Sequence, residues 1–127
     1  MEATVRVLPW LPWSHLPTSL DIRRIQAVLR GAAATLARET PNLIIEIEER
    51  HNAGALGRIG AMLASLGYAG HFIDGHGVRP LADFNAALDQ DPRFVTVGGK
   101  TGRYINNFIF VPGRDASNFV QQASRLI

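Results

Sequence analysis

The chain contains no cysteine, which excludes a disulfide scaffold, a thiolate nucleophile, an iron–sulfur cluster and every cysteine-ligated zinc site. No run approaches the roughly 18 consecutive apolar residues that a membrane-spanning helix needs. The first residues lack the charged start, clean apolar stretch and small-residue cleavage site of a signal peptide. Together these absences point to a cytoplasmic protein with no membrane partner. Lysine is nearly missing, Lys100 being the only one. Thirteen Lys and Arg stand against 11 Asp and Glu, for a net charge of +2. The arginines are scattered, with Arg23-Arg24 the one adjacent pair, so no basic stripe suggests a nucleic-acid partner. A phosphate loop is also lacking. Gly99-Lys100-Thr101 invites that reading, but Phe94 stands where the motif needs its first glycine, and no helical pattern follows. No glycine-rich nucleotide fingerprint and no Ser-His-Asp arrangement is legible.

What is present is a chain of 127 residues, 46% hydrophobic and 19% charged, enough for one domain with one core. Residues 1–18 read as an irregular leader broken by Pro9, Pro12 and Pro17, and residues 19–127 as the domain. From Asp21 to Arg38, apolar residues at Ile22, Ile25, Val28, Leu29, Ala32 and Leu36 recur at spacings of three and four, which predicts a helix. Asn42–Glu48 reads as a strand. Its apolar run Leu43-Ile44-Ile45 suggests a central parallel strand covered on both faces, with a polar carboxyl end. A second helix is expected over Ala53–Leu66, with Asn52 as N-cap and Gly67 in the left-handed position after its end. Gly54, Gly57 and Gly60 within it suggest close packing on a sheet. His71–Asp74 reads as a short strand, and strand, helix and strand together make a right-handed βαβ unit. Residues 75–103 form a long connection with a short helix near Ala82–Leu88. Tyr104–Val111 is the clearest late strand, ended by Pro112-Gly113, and a last helix starts at about Asp115.

The densest ionisable cluster is Glu46, Glu48, Glu49 and His51, at the carboxyl end of the first strand. In open α/β sheets that edge is where ligands bind. Glu48 and His51 are candidates for moving a proton, and Glu46 and Glu49 for a substrate-facing rim. A solvated strand end with surface charges is the plainer reading of the same four residues. Asn106 and Asn107 interrupt an apolar strand and serve either structure or ligand. His71, Asp74 and His76 surround a turn, and incidental histidines explain them better than a metal site. The acidic cluster matches no metal-ligand spacing either, so no metal is expected.

Taken together, Ala27-Val-Leu-Arg-Gly-Ala32, Leu43-Ile-Ile-Glu-Ile-Glu-Glu-Arg-His51, Leu66-Gly-Tyr68 and Tyr104-Ile-Asn-Asn-Phe-Ile-Phe-Val-Pro112 stand in an order that resembles the C-terminal half of FkbM-family methyltransferases, over roughly residues 27–112. The resemblance implies an α/β fold: half of a class I (Rossmann-like) methyltransferase domain, about three strands in a mixed sheet flanked by helices. In this family the last strand inserts antiparallel next to the fifth. It also implies S-adenosylmethionine (SAM) as methyl donor and a small molecule or sugar as acceptor. The family's glycine loop and ribose-holding acid belong to the other half. Its Asp-x-Glu-Gly segment is replaced here by Leu20-Asp21-Ile22-Arg23. The expectation is therefore a truncated member, inactive alone, with no residues to hold SAM. Without preceding strands, strand 42–48 becomes an open edge. That supports an alternative, a non-catalytic module that pairs through this edge with a complementing chain or a second copy of itself. A third reading is a ligand-binding domain using the Glu48–His51 rim and loop 75–103.

Overall fold

The computed structural model describes residues 5–8, 22–49, 53–96, 99–100 and 104–126. Strands β1 (Val5–Leu8), β2 (Asn42–Glu46), β3 (Tyr68–Asp74), β4 (Gly77–Pro80) and β7 (Asn107–Pro112) make one five-stranded sheet in the order β1-β2-β7-β3-β4. β5 (Val95–Thr96) and β6 (Gly99–Lys100) form a separate two-stranded hairpin. The helices are α1 (Ile22–Gly31), α2 (Ala33–Glu39), α3 (Ala55–Ser65), α4 (Ala86–Asp89) and α5 (Ala116–Ser124).

The sheet corrects the expected fold. Every neighbouring pair is antiparallel, so the sheet is neither mixed nor limited to three strands, and the Rossmann-like half-domain is not what forms. β2 and β3 do run in the same direction, as a strand–helix–strand crossover requires. They are not neighbours, however, because β7 lies between them and pairs antiparallel with both. The apolar run of β2 has a different cause from the parallel pairing inferred for it. β2 is flanked by β1 and β7, so Ile44 is half-buried on one face while Leu43 and Ile45 are fully buried on the other. The flank of β2 expected to stay open is taken by β1, which comes from the leader.

Registers assign the faces. Leu43 opposes Phe110, Ile45 opposes Phe108, and Gly70 also opposes Phe110, so these residues share one face with Tyr68 and Phe72. The core forms there, where Ile25, Leu29 and Leu36 from α1 and α2 and Ala55, Leu56, Ile59 and Leu63 from α3 join the strand residues. Each fully buried Ile or Leu contributes about 1.5–3 kcal/mol of transfer free energy. The helix expected over 21–38 is interrupted at Ala32, next to Gly31, so its apolar stripe is split between two shorter helices. Gly67 takes the left-handed conformation at φ 88° behind α3. Gly60 packs on Leu81, Gly57 is exposed with open space where a Cβ would stand, and Gly54 takes a left-handed φ of 83° ahead of the helix, so close packing explains one of the three glycines. On the opposite face, α5 lies over β4 and β7, and its Phe119 meets His71 of β3 edge-on at 5.3 Å. No helix among the described residues is long and apolar enough to cross a membrane.

Candidate functional site

The carboxyl end of β2 and the beginning of β7 lie side by side, because Glu46 opposes Asn107 at the last step of their ladder. One further backbone bond, Ile47 N–H to Asn106 C=O at 2.8 Å, follows before the strands separate. Three side chains gather where they part. Asn106 donates from Nδ2 to Glu48 Oε1 at 3.0 Å, and the Tyr104 hydroxyl donates to Glu48 Oε2. Asn107 reaches back from Nδ2 to Asn106 Oδ1 at 3.3 Å. Asn106 is buried, Glu48 half-buried and Asn107 exposed. Beside them opens a cleft of about 240 Å³ lined by Ile73, Tyr104, Ile105, Asn106, Asn107 and Ile109. The arrangement presents amide and hydroxyl groups beside an oriented carboxylate, over an aliphatic wall. Its described lining is amide, hydroxyl and aliphatic, which suits a hydroxyl-bearing ligand.

The expected site residues divide. Glu48, Asn106 and Asn107 come together, and Glu46 stands at the adjacent cross-strand position. Glu49 turns away to a structural task. Its carboxylate accepts from Gly54 N–H at 2.8 Å and from Leu56 N–H, satisfying amides of the first turn of α3. The task assigned to Asn52 is thus carried by a residue three positions earlier. Asn52 and His51 lie outside the described residues. His71 and Asp74 do not converge, because residues three apart on a strand face opposite sides. Asp74 accepts from His76 N–H at 2.7 Å in the β3–β4 turn and pairs with Arg79 at 3.5 Å. Among the described residues no three metal-type ligands cluster.

Two residues were missed. Tyr104 heads the segment Tyr-Ile-Asn-Asn, and its position two residues before Asn106 is the signal that could have found it. Gln90 sits in a polar connection, where nothing in the sequence marks it. It is 2% exposed and spans both strands: Nε2 donates to Ile47 C=O at 2.7 Å and to Ile105 C=O at 2.9 Å, while Oε1 accepts from Glu49 N–H at 2.7 Å. Away from this end, burial pushes the His71 imidazole below its usual range, against the opposing pull of backbone groups of Ile109 and Ala69. Burial raises the Tyr68 hydroxyl, with Arg114 working against it.

Fold and site define an α/β domain with an antiparallel sheet and a polar cleft where two central strands part. The chain matches no protein-family model, no curated protein and no solved structure.

Proposed function

We propose that this chain binds the acceptor, a small molecule or sugar, of an FkbM-type O-methyl transfer, in the cleft beside Glu48. The observation that carries the reading is a convergence: the two segments most like that family, 43–51 and 104–112, meet at one carboxylate through Tyr104 and Asn106. Tyr104 and Asn106, which line the cleft and are held by the Glu48 carboxylate behind them, hydrogen-bond the acceptor hydroxyl. Asn107 and the Ile73–Ile109 wall orient the remainder of the molecule.

On this reading the cleft beside Glu48 does not hold SAM. The first-turn amides of α3 are engaged by Glu49, and the cleft of about 240 Å³ is smaller than the about 300–1,000 Å³ usual for a ligand of that size. The alternative, a non-catalytic module pairing through a sheet edge, loses the β2 edge to β1. It retains the outer sides of β1 and β4, and β4 carries Arg79 and Pro80, residue types that discourage strand addition.

The test is a set of thermal melts of the wild-type chain and Glu48→Gln, with millimolar SAM and with a panel of neutral sugars and hydroxylated small molecules. Ligand that binds the folded state raises the midpoint by mass action. The expected result is a shift with a member of the acceptor panel, reduced in Glu48→Gln, and none with SAM. A shift with SAM, or an acceptor shift indifferent to Glu48→Gln, overturns the reading.

A further inference from the structure

We infer that Gln90 is the positioning residue that assembles the Glu48 site, by wedging β2 and β7 apart one step before the ladder would otherwise close over it. The register makes the argument. Glu46 opposes Asn107, and the next bond joins Ile47 to Asn106. Continued by two steps, the same ladder would set Glu48 opposite Ile105 and Glu49 opposite Tyr104. Side chains alternate along a strand and directly opposed residues share a face. In that continued ladder Glu48 would share a face with Ile105, while Tyr104 and Asn106 would point to the other side. The observed contacts of both residues with the Glu48 carboxylate therefore require the ladder to break.

Gln90 supplies the break. Its amide takes two groups that further pairing would use, the C=O of Ile47 and the N–H of Glu49, and also holds the C=O of Ile105, which a continued ladder would turn away from β2. The preceding residue completes the insertion, since Asp89 C=O accepts from Ile105 N–H at 2.7 Å. A short side-chain amide can do this because it carries donor and acceptor side by side, as a peptide group does. The carrier is rigid for its size. Across α4, Asn85 N–H donates to Asp89 Oδ2 at 2.8 Å and Asp89 N–H donates to Asn85 C=O at 2.7 Å. The connection between β4 and β7 thus contributes a fixed wedge rather than a lining group. This inference rests on the acceptor reading for what the site is for, and not for how it is built.

The test uses the ligand-free chain, so an acceptor panel that fails leaves it untouched. Nuclear Overhauser contacts between the Tyr104 ring, the Asn106 side-chain amide and the Glu48 side chain are recorded in the wild type, in Gln90→Met, which keeps length but removes the amide, and in Leu63→Ala, a core change remote from the wedge. The expectation is that Gln90→Met loses these contacts and that Leu63→Ala retains them despite its lower melting point. Retention in Gln90→Met, or loss in both variants, overturns the inference. If Gln90→Met does not fold, hydrogen exchange in the wild type decides. The Glu49 N–H, held by a side chain, should exchange within roughly tenfold of the Ile105 N–H. Exchange at the rate of an open loop overturns the wedge.

Discussion

Gly70 stands directly opposite Phe110 in the β3–β7 ladder, and a Cβ placed on it would lie 2.8 Å from the Phe110 ring and 2.9 Å from a Leu81 methyl. Phe110 is 1% exposed and has no room to yield. Gly70→Ala is expected to destabilise the fold by about 1–3 kcal/mol, the usual range for overpacking. Gly57→Ala is the counterpart: on the exposed side of α3, with nothing near its added methyl, it should stabilise by up to about 1 kcal/mol. Urea titrations of both variants, read at the midpoint, check the opposite signs.

Glu49 and α3 form the second relationship open to test. Glu49→Ala leaves two first-turn amides without their carboxylate, and an expected loss of about 1–2 kcal/mol follows from comparable caps. Far-ultraviolet dichroism during a melt reports it, and a variant as stable as the wild type would deny the capping role.

His71 links stability to pH. Its folded-state value is lowered by burial from the ordinary 6.5, so the unfolded chain takes up the proton first as pH falls. Its contribution is complete above that ordinary value, declines as pH drops through it, and levels off once the folded imidazole also protonates. Urea midpoints measured from pH 8 downward should show this decline in the wild type. His71→Leu should flatten that part of the profile, leaving the contributions of the other titrating groups.

Tyr68 predicts the reverse sign at the alkaline end. Its hydroxyl is buried and donates to Pro41 C=O at 2.7 Å, and burial raises it above the ordinary 10.0. Stability from this group is complete below that value and is lost as pH rises through it. Tyr68→Phe should cost about 1 kcal/mol at neutral pH. It should also lose less than the wild type in alkaline melts.

The helices and two of the strands were legible because periodicity is local. Ile25, Leu29 and Leu36 mark one face, as do Leu56, Ile59 and Leu63, and each set is buried in the core. The late strand and its stop at Pro112-Gly113 were legible for the same reason. β4 was not, because Gly77–Pro80 carries no alternation and its glycine and proline read as loop. β1 was hidden inside a proline-rich leader, where four residues of strand pattern carry little weight. Strand pairing was misjudged because an apolar run reports burial on two faces, and a central strand with antiparallel neighbours satisfies that as well as one with parallel neighbours. In the candidate site, Glu48 and Asn106 were legible as polar residues interrupting apolar strands, whereas the role of Gln90 depends on contacts 43 and 15 residues away in sequence.

By itself, the sequence determined which segments carry an apolar face and which polar residues stand at strand ends. Those properties depend on neighbours within a few positions. Tertiary structure alone decided the strand order, the insertion of β7 between β2 and β3, and the fork that turns Tyr104 and Asn106 toward Glu48. Such pairings are selected by the combined burial of distant segments and by the need to satisfy each backbone group that burial removes from water. No short window of residues contains that information.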